Sequence, residues 1–334
     1  MQTAWIVGLG KSGVAAAQLL AAQGWRVTVS DRGTGDRLAP IEAELTRSGV
    51  AVRLGDTFDP AAIDPRPDLV VVSPGVPWDS PGVARARELG IDTIGEMELA
   101  WRNLSQAPWV AITGTNGKTT TTALTAAIFQ AAGFHAPACG NIGEAACGVV
   151  TEAATRPIDW VVAEVSSYQI ESSRELAPKI GLWTTFTPDH LARHYTLENY
   201  FNIKASLLDR SALQILNGDD PALRAQGVDR YPNAIWTSVQ GRDRLPANPE
   251  RGAWIEDGQA IVAGIPIVPV SALAMTGSHN QQNLLMAVAA AHYAGIAPEA
   301  IAQAVRDFPG VAHRLERVGT HQGIDFINDS KATN

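Results

Sequence analysis

Residues Gly114-Thr-Asn-Gly-Lys-Thr119 have the composition of a loop that holds phosphate groups. They form a shortened version of the glycine-rich sequence ending in Gly-Lys-Thr that many nucleotide-binding proteins carry. The backbone amides of such a loop, and of the helix that follows it, point at anionic oxygens. An apolar run, Trp109-Val-Ala-Ile-Thr113, precedes the loop, which favours a strand–loop–helix unit over an ordinary glycine-rich turn. We therefore predict that this loop binds phosphates, with Lys118 at the terminal ones and a following threonine hydroxyl on Mg2+.

Glu164 and His190 stand at or just beyond the ends of two later apolar runs. A carboxylate that ends a strand beside a phosphate loop can hold Mg2+ directly or through water, and we favour that role for Glu164. His190 lies in Thr187-Pro-Asp-His-Leu-Ala-Arg-His194, and Lys204 follows fourteen residues after it. Because ligands of open α/β sheets bind outside the carboxyl ends of the strands, we predict that His190 faces the same crevice. Without the neighbouring motifs, either residue would fit an ordinary strand end or surface loop.

A second glycine-rich loop, Gly8-Leu-Gly-Lys-Ser-Gly13, lies between an apolar run and a helical pattern at the N-terminus. Asp31 ends the next strand, eighteen residues beyond Gly13. This arrangement is typical of an NAD-binding fold in which the acidic residue binds a ribose hydroxyl. The pattern specifies only a pyrophosphate and a ribose, however, and a UDP-sugar has both. The residues alone leave both ligands open.

The segments that position these residues alternate between strands and helices. Strand-like runs occur at 4–8, 26–30, 51–54, 69–73, 109–113, 159–164, 180–186 and 213–217, and helical patterns at 12–23, 40–48, 280–294 and 298–307. This succession implies parallel sheets with right-handed crossovers. We predict a Rossmann-like α/β domain over residues 1–105 and a central P-loop-type domain with a small β excursion over 106–312. Residues 102–108 are predicted to be a linker, and 313–334 a hinge with the first strand and loop of a further domain.

The composition of the 334-residue chain excludes several classes of partner. Its formal net charge is −8 and it has no basic run, which disfavours nucleic acids and anionic membranes. The N-terminus lacks a signal-peptide pattern, and no apolar stretch reaches the ~18 residues of a membrane helix. Two cysteines, Cys139 and Cys147, are too few for a disulfide framework and lack zinc-ligand spacing. We predict buried thiols in a cytoplasmic protein that requires no protein partner.

Seven ordered motifs along the chain resemble the Mur ligases of peptidoglycan synthesis. They lie at 111–120, 140–143, 164–166, 189–190, 279–283, 313–314 and 328–334. The Gly8 loop together with Ser73-Pro-Gly75 and Gly95-Glu96 is most similar to the members that add D-glutamate. The resemblance implies that the loop at Gly114 holds ATP and the loop at Gly8 holds the uracil nucleotide of a UDP-sugar substrate. It further implies that the UDP-N-acetylmuramoyl-L-alanine carboxylate is phosphorylated by ATP, and that D-glutamate then displaces the phosphate to form an amide.

The resemblance also assigns roles to matching positions. The catalytic residues would be Lys118, Glu164, His190 and Lys204, and the last matches the lysine that the family carbamylates. Two Mg2+ ions would be held by Thr119, Thr120, Glu164, His190 and Lys204. ATP would be bound by Gly114, Thr115, Asn116, Gly117, Lys118, Thr119 and Thr120, with Asn280 and Asn283 near adenine, Arg314 near phosphate, and Asp329 and Lys331 in the hinge. The UDP-sugar would be bound by Gly10, Lys11, Ser12, Asp31, Arg32, Ser73, Pro74, Gly75, Asn141, Ser166 and His190.

Two departures from the family pattern stand out. Position 192 is alanine where related sequences have an acidic residue, which alters the expected hydrogen bonding around His190. The chain also stops at Asn334, where the family continues into a third domain that closes over ATP and contacts D-glutamate. We therefore expect more sequence in the natural protein, and expect these 334 residues to bind the UDP-sugar but to ligate poorly.

Other functions compete with this interpretation. An NAD-dependent oxidoreductase would use the Gly8 loop but leaves Lys118, Glu164 and Lys204 unexplained. A catalytically silent UDP-sugar sensor is disfavoured because those residues and His190 are intact. Another Mur ligase branch would add a different amino acid, while the folate-polyglutamate branch shares the ATP loop but does not need the domain containing Asp31.

Overall fold

The computed structural model describes residues 1–314, 316–321 and 324–330, and their strands form three sheets. The first sheet and its helices comprise β1 (Thr3–Val7), α1 (Lys11–Ala22), β2 (Arg26–Asp31), α2 (Ala39–Arg47), β3 (Ala51–Leu54), β4 (Leu69–Val72), α3 (Pro81–Glu88), β5 (Asp92–Gly95) and α4 (Glu96–Leu104). The second sheet begins with β6 (Trp109–Thr113), α5 (Lys118–Ala131), β7 (Ala138–Gly140), α6 (Ala146–Ala153), β8 (Val161–Glu164), α7 (Ser167–Glu171), β9 (Ile180–Trp183), α8 (Leu191–His194), α9 (Leu197–Arg210) and β10 (Leu213–Asn217). It continues through α10 (Pro221–Arg230), β11 (Ile235–Ser238), β12 (Ala253–Glu256), β13 (Gln259–Val262), β14 (Ile265–Pro269), α11 (Ser278–Tyr293) and α12 (Pro298–Asp307).

The first sheet has five parallel strands in the order β3-β2-β1-β4-β5. The chain moves outward from β1 through β2 to β3 and then returns to place β4 on the other side of β1. The loops after β1 and β4 therefore diverge and leave a crevice at the carboxyl edge, where α/β sheets bind ligands. Gly8 and Ser73 lie in these two loops, so the predicted Rossmann-like sheet is confirmed.

The second sheet has nine strands in the order β14-β13-β12-β11-β10-β9-β6-β8-β7. Its strands are parallel from β12 to β7, and β13 and β14 extend it as an antiparallel meander. This meander is the predicted β excursion, and it continues the edge of the same sheet. Because β6 lies between β8 and β9, the segments after these three strands meet at one edge. The Gly114 loop follows β6, Glu164 is the last residue of β8, and Thr184 follows β9.

The third sheet is a hairpin of β15 (Glu316–His321) and β16 (Ile324–Asn328), which pair antiparallel. The strand predicted within 313–334 is thus present as β16, but its pairing with β15 was not predicted. Among the described residues, no helix is both long and apolar enough to cross a membrane.

One apolar cluster continues across the first two sheets. It includes Leu20 of α1 and Leu99 of α4 on one side and Val149 of α6 on the other, all at most 5% exposed. The predicted linker at 102–108 is in part the last turn of α4. Arg102 in that turn forms salt bridges with Asp92, at 2.5 Å, and with Glu175, at 2.9 Å. The first two sheets are therefore joined by packing and ion pairs as well as by the chain.

Candidate active site

A cleft of about 780 Å3 opens at the carboxyl edge of the first sheet. It lies between the loops after β1, β2 and β4 and the segment after β7 of the second sheet. Nine residues predicted to bind the UDP-sugar line it: Gly10, Lys11, Ser12, Asp31, Arg32, Ser73, Pro74, Gly75 and Asn141. Ser166 and His190, predicted for the same ligand, line a neighbouring cavity instead. We call the first space the N-terminal cleft.

The Gly8 loop packs too closely for larger residues. A Cβ atom at Gly13 would lie 2.0 Å from the carbonyl oxygen of Gly8 and 2.7 Å from Ser73 Oγ. The Ser73 hydroxyl donates a hydrogen bond of 2.8 Å to the same carbonyl. This close approach orients the start of α1, whose first amides face the cleft and provide donors for an anion.

Asp31 holds the Gly8 loop in position through hydrogen bonds to its carboxylate. Its two carboxylate oxygens accept hydrogen bonds from the backbone amides of Leu9 and Gly33, each at 2.7 Å. The sequence predicted only a contact between Asp31 and a ribose. The carboxylate oxygens retain lone pairs for that contact, but the side chain also holds the cleft in shape.

A second cavity, of about 340 Å3, lies at the carboxyl edge of the second sheet, and we call it the P-loop cavity. The loop at 114–117 forms one wall and requires glycine at both ends. Gly117 has φ of 83°, and a Cβ atom at Gly114 would lie 2.0 Å from Thr184 Oγ1. The amides of Thr115 and Asn116 donate to Thr185 O and Oγ1, both at 2.8 Å. The predicted residues that line this cavity are Gly114, Thr115, Asn116, Gly117, Lys118, Thr119, Asn141, Glu164, Ser166, His190, Lys204 and Arg314.

Two lysines supply positive charge beside the loop. Lys118 Nζ donates to Thr115 O at 2.9 Å, and Lys204 Nζ donates to Gly114 O at 2.9 Å. Lys204 is 1% exposed, and its Nζ lies 4.8 Å from the centre of the Tyr200 ring. Burial lowers the pKa of both lysines, and for Lys204, where the charge of Lys118 adds to burial, the pKa falls well below its usual value. Lys204 therefore has a larger neutral fraction than an exposed lysine.

Glu164 carries the feature expected of a metal ligand. Its side chain is buried, and Oε1 accepts a 2.6 Å hydrogen bond from Asn141 Nδ2. Oε2 is buried without a hydrogen-bond partner among the described residues. A buried anionic oxygen in that state is unfavourable unless a cation or donor approaches it.

The donor set around Glu164 suits Mg2+. No group of three His, Cys, Asp or Glu side chains gathers at a metal-binding distance within the described part of the chain. Mg2+ commonly takes only one or two carboxylates and completes its shell with phosphate oxygens and water. Thr119 lines the cavity, whereas Thr120 is buried at 6% exposure and is not part of its lining. The structure thus favours Thr119 of the two predicted threonines.

His190 lies across the cavity in a left-handed conformation, with φ of 54°. Its backbone amide donates to Asp189 Oδ1 at 2.7 Å, and its Nε2 lies 3.6 Å from Asp189 Oδ2. Burial lowers the pKa of His190, while the charge of Asp189 opposes that effect. A neutral imidazole is the form that binds a metal ion.

Asn141 lines both the N-terminal cleft and the P-loop cavity. Its side chain donates to Glu164, so the segment after β7 is tied to the end of β8. The two spaces therefore share a wall. A molecule bound by the first loop can extend towards a nucleotide bound by the second.

Comparisons with known proteins show the family to which the chain belongs. The Mur ligase middle domain matches residues 112–291, and the MurD-like N-terminal domain of Mur ligases matches residues 2–95. The chain belongs to the Mur ligase family. It is 61% identical to the UDP-N-acetylmuramoylalanine–D-glutamate ligase of Microcystis aeruginosa, with all of this chain aligned to 74% of that protein. The enzyme of the same name from Trichormus variabilis is 62% identical, with all of this chain aligned to 73% of it.

Solved structures of Mur ligases share the fold at low identity. A UDP-N-acetylmuramate:L-alanyl-gamma-D-glutamyl-meso-diaminopimelate ligase from Neisseria meningitides has a TM-score of 0.64 and 19% identity, over 93% of this chain and 99% of that one. The UDP-N-acetylmuramate-alanine ligase of Thermotoga maritima has a TM-score of 0.58 and 19% identity, over 98% of this chain and 74% of that one. Both likenesses concern architecture only.

Besides Thr120, three described residues expected to bind nucleotide in this Mur ligase lie outside the cavity lining: Asn280, Asn283 and Asp329. Asn283 is buried behind the loop, where Oδ1 accepts a 3.2 Å hydrogen bond from Thr121. Asn280 lies beside it and donates to Thr276 O at 2.8 Å. Asp329 is exposed directly after β16, and Lys331 lies outside the described residues. Asn283 lies against Gly117 of the loop, and Asn280 accepts a 3.3 Å hydrogen bond from the Asn283 side chain.

Sequence reasoning overlooked an aromatic and histidine layer beneath His190. His194 is fully buried, stacks on Tyr200 with ring centres 5.4 Å apart, and lies with Nε2 2.9 Å from Ser167 Oγ. Burial, together with the charge of Arg193, lowers its pKa to about 4, so it is neutral at physiological pH. His194 lies four residues after His190, and residues at this spacing lie on the same face of a helix. This spacing could have indicated from the sequence that His194 lies close to His190.

Proposed function

We propose that these 334 residues provide the UDP-sugar and ATP sites of an ATP-dependent reaction that joins D-glutamate to UDP-N-acetylmuramoyl-L-alanine through an acyl phosphate. The observation that carries this proposal is the position of Asn141 in the wall shared by the two cavities. A UDP-sugar held at the Gly8 loop would direct its alanyl carboxylate along this wall. An ATP held at the Gly114 loop would present its terminal phosphate to the same place.

The N-terminal cleft supplies the groups that a UDP-sugar needs. The first amides of α1 and Lys11 face the diphosphate, while Asp31 and Arg32 provide polar groups for the nucleoside. The large cleft volume accommodates a nucleotide-sugar, and the neighbouring segment at Asn141 guides the peptide end. Ser166, in the P-loop cavity, lies beyond Asn141 on that path.

Phosphoryl transfer mainly requires positioning and neutralisation of charge. A carboxylate oxygen of the substrate forms a bond to the γ-phosphorus while the bond to the ADP oxygen breaks. Lys118 and Arg314 attract the phosphate oxygens, and the backbone amides at the start of α5 hold them in place. The amine of D-glutamate then forms a bond to the acyl carbon as the phosphate leaves with the C–O electron pair and the amine loses a proton.

Two Mg2+ ions would be held by Thr119 with Glu164 and by His190. They would neutralise phosphate charge and align the reacting oxygens. Lys204 would act through a carbamate, because its lowered pKa leaves a neutral amine that can attack CO2. In that reaction an N–C bond forms as one C–O π bond of CO2 opens, and the neutral amine loses one proton, so a buried amine becomes an anion beside the metal site.

Calorimetric titration of two variants tests whether each loop has its own ligand. Gly13→Ala should weaken binding of UDP-N-acetylmuramoyl-L-alanine by more than tenfold and leave Mg2+–ADP binding unchanged, because the added Cβ collides with Gly8 O. Lys118→Ala should weaken binding of Mg2+–ADP by more than tenfold and leave binding of UDP-N-acetylmuramoyl-L-alanine unchanged. Gly319→Ala is the matched control, since no atom lies within 4 Å of its added Cβ and Gly319 lines neither cavity.

Two results would overturn the proposal. One is binding of NADH to the wild-type protein with no response to the UDP-sugar. The other is that Gly13→Ala and Lys118→Ala both abolish binding of the same ligand and leave binding of the other ligand unchanged.

A further inference from the structure

A buried carboxylate from the first sheet caps a helix of the second. Glu96 is the first residue of α4 and is 1% exposed. Its Oε1 accepts a 2.6 Å hydrogen bond from the amide of Cys147, in the first turn of α6. The residue before α6 is Ala145, which has no side-chain oxygen to cap the helix. Glu96 therefore provides the oxygen acceptor for a first-turn amide of α6, a role that a serine or aspartate at the residue before the helix normally fills.

The helix that Glu96 caps is preceded by the segment at 140–145, which carries Asn141. The neighbouring residue of α4 also touches this segment, since a Cβ atom at Gly140 would lie 2.9 Å from Met97 Cε. Gly140, Asn141 and Gly143 all line the N-terminal cleft. The start of α4 thus determines where the shared wall stands relative to the cleft.

We propose that Glu96 is a positioning residue that fixes the Asn141 segment across the boundary between the two sheets, and so aligns the UDP-sugar with the nucleotide. Glu96 itself does not line either cavity. Its effect on ligands passes through the α6 amides and the segment before them. This inference rests on the function proposed above, because it concerns how the UDP-sugar is held.

Glu98, two residues further along α4, offers a matched control. It is also buried, and its carboxylate accepts hydrogen bonds from the amides of Glu175 and Leu176 at 2.7 and 3.1 Å. It therefore bridges the same two sheets with the same chemistry. Neither Glu175 nor Leu176 lines either cavity. Removing Glu98 perturbs the boundary without releasing the Asn141 segment.

The test compares Glu96→Ala, Glu96→Gln and Glu98→Ala by calorimetric titration with UDP-N-acetylmuramoyl-L-alanine, with circular dichroism to verify folding. We expect about a tenfold loss of affinity in Glu96→Ala, the equivalent of about one hydrogen bond. Glu96→Gln retains an oxygen for the Cys147 amide, so its affinity should stay within about threefold of wild type. Glu98→Ala should bind like the wild type although its unfolding temperature falls.

Unchanged affinity in Glu96→Ala would overturn the inference, as would an equal loss in Glu98→Ala. If Glu96→Ala fails to fold, the glutamine variant decides: a loss as large as tenfold there would exclude positioning through the Cys147 amide. Failure of the wild-type protein to bind the UDP-sugar would instead refute the proposed function, so the two failures are distinguishable.

Discussion

Replacing Glu96 by glutamine should change how the stability of the protein depends on pH. Burial raises the pKa of Glu96 to about 7, and the hydrogen bond from Cys147 only partly opposes this effect. The ordinary value is 4.5. The folded protein therefore holds the proton over a pH range in which the unfolded chain has released it.

The size and sign of the effect follow from this difference. The two pKa values differ by about 2.5 pH units, which at 1.36 kcal/mol per unit is roughly 3 kcal/mol. The wild-type protein should lose that amount relative to Glu96→Gln as the pH rises from about 4.5 to about 7, with no further change above. The facing thiols, Cys139 and Cys147, do not titrate in this range, because burial raises the pKa of each above its ordinary value.

Urea denaturation of both proteins between pH 4.5 and pH 8 measures the difference in the free energy of unfolding. Glu198→Gln is the control, since Glu198 also lies in the first turn of a helix but is exposed. A constant difference between Glu96→Gln and wild type across this range would refute the reasoning. It would mean that the folded protein tolerates the ionised carboxylate without a penalty.

Three further predictions concern the P-loop cavity and the boundary between the sheets. Incubation with 13C-labelled bicarbonate should give a carbamate signal in the 13C NMR spectrum that is absent in Lys204→Arg, and an identical spectrum for both would contradict carbamylation. Glu164→Gln should raise by about tenfold the Mg2+ concentration needed for tight binding of a fluorescent ATP analogue, because it removes the charge of the unpartnered oxygen; an unchanged requirement would exclude Glu164 as a ligand. Gly95→Ala should lower the free energy of unfolding by about 1–3 kcal/mol in urea denaturation, since its Cβ would lie 2.1 Å from Ser172 Oγ. A free energy of unfolding equal to that of the wild type in Gly95→Ala would show that the Ser172 side chain can move aside.

The parts of the structure that were predicted from the sequence are those that short stretches of sequence indicate by themselves. The two glycine loops follow uninterrupted apolar strands, and this order predicts both the parallel sheets and the loops at their carboxyl edges. Ser73 and Asn141, far apart in the chain, came from the family resemblance. Neither could have been placed in the cleft from spacing alone.

The parts that were missed depend on contacts between distant segments. The chain from 92 to 104 was not predicted as a strand and helix, because Glu96 and Glu98 interrupt its apolar pattern. Both are buried only because amides of the second sheet need acceptors there. The role of Asp31 in holding Leu9, and that of Asn283 behind Gly117, likewise arise from tertiary packing.

Separating the chain at residue 105 would divide the apolar cluster that α1, α4 and α6 form together. Apolar side chains of α1 and α4 on one fragment, and of α6 on the other, would then face water. Contiguous apolar surface of this kind promotes aggregation in isolated domains. Recombinant work on residues 1–105 should therefore keep them covalently attached to the second sheet and its helices, even though each half has a complete sheet of its own.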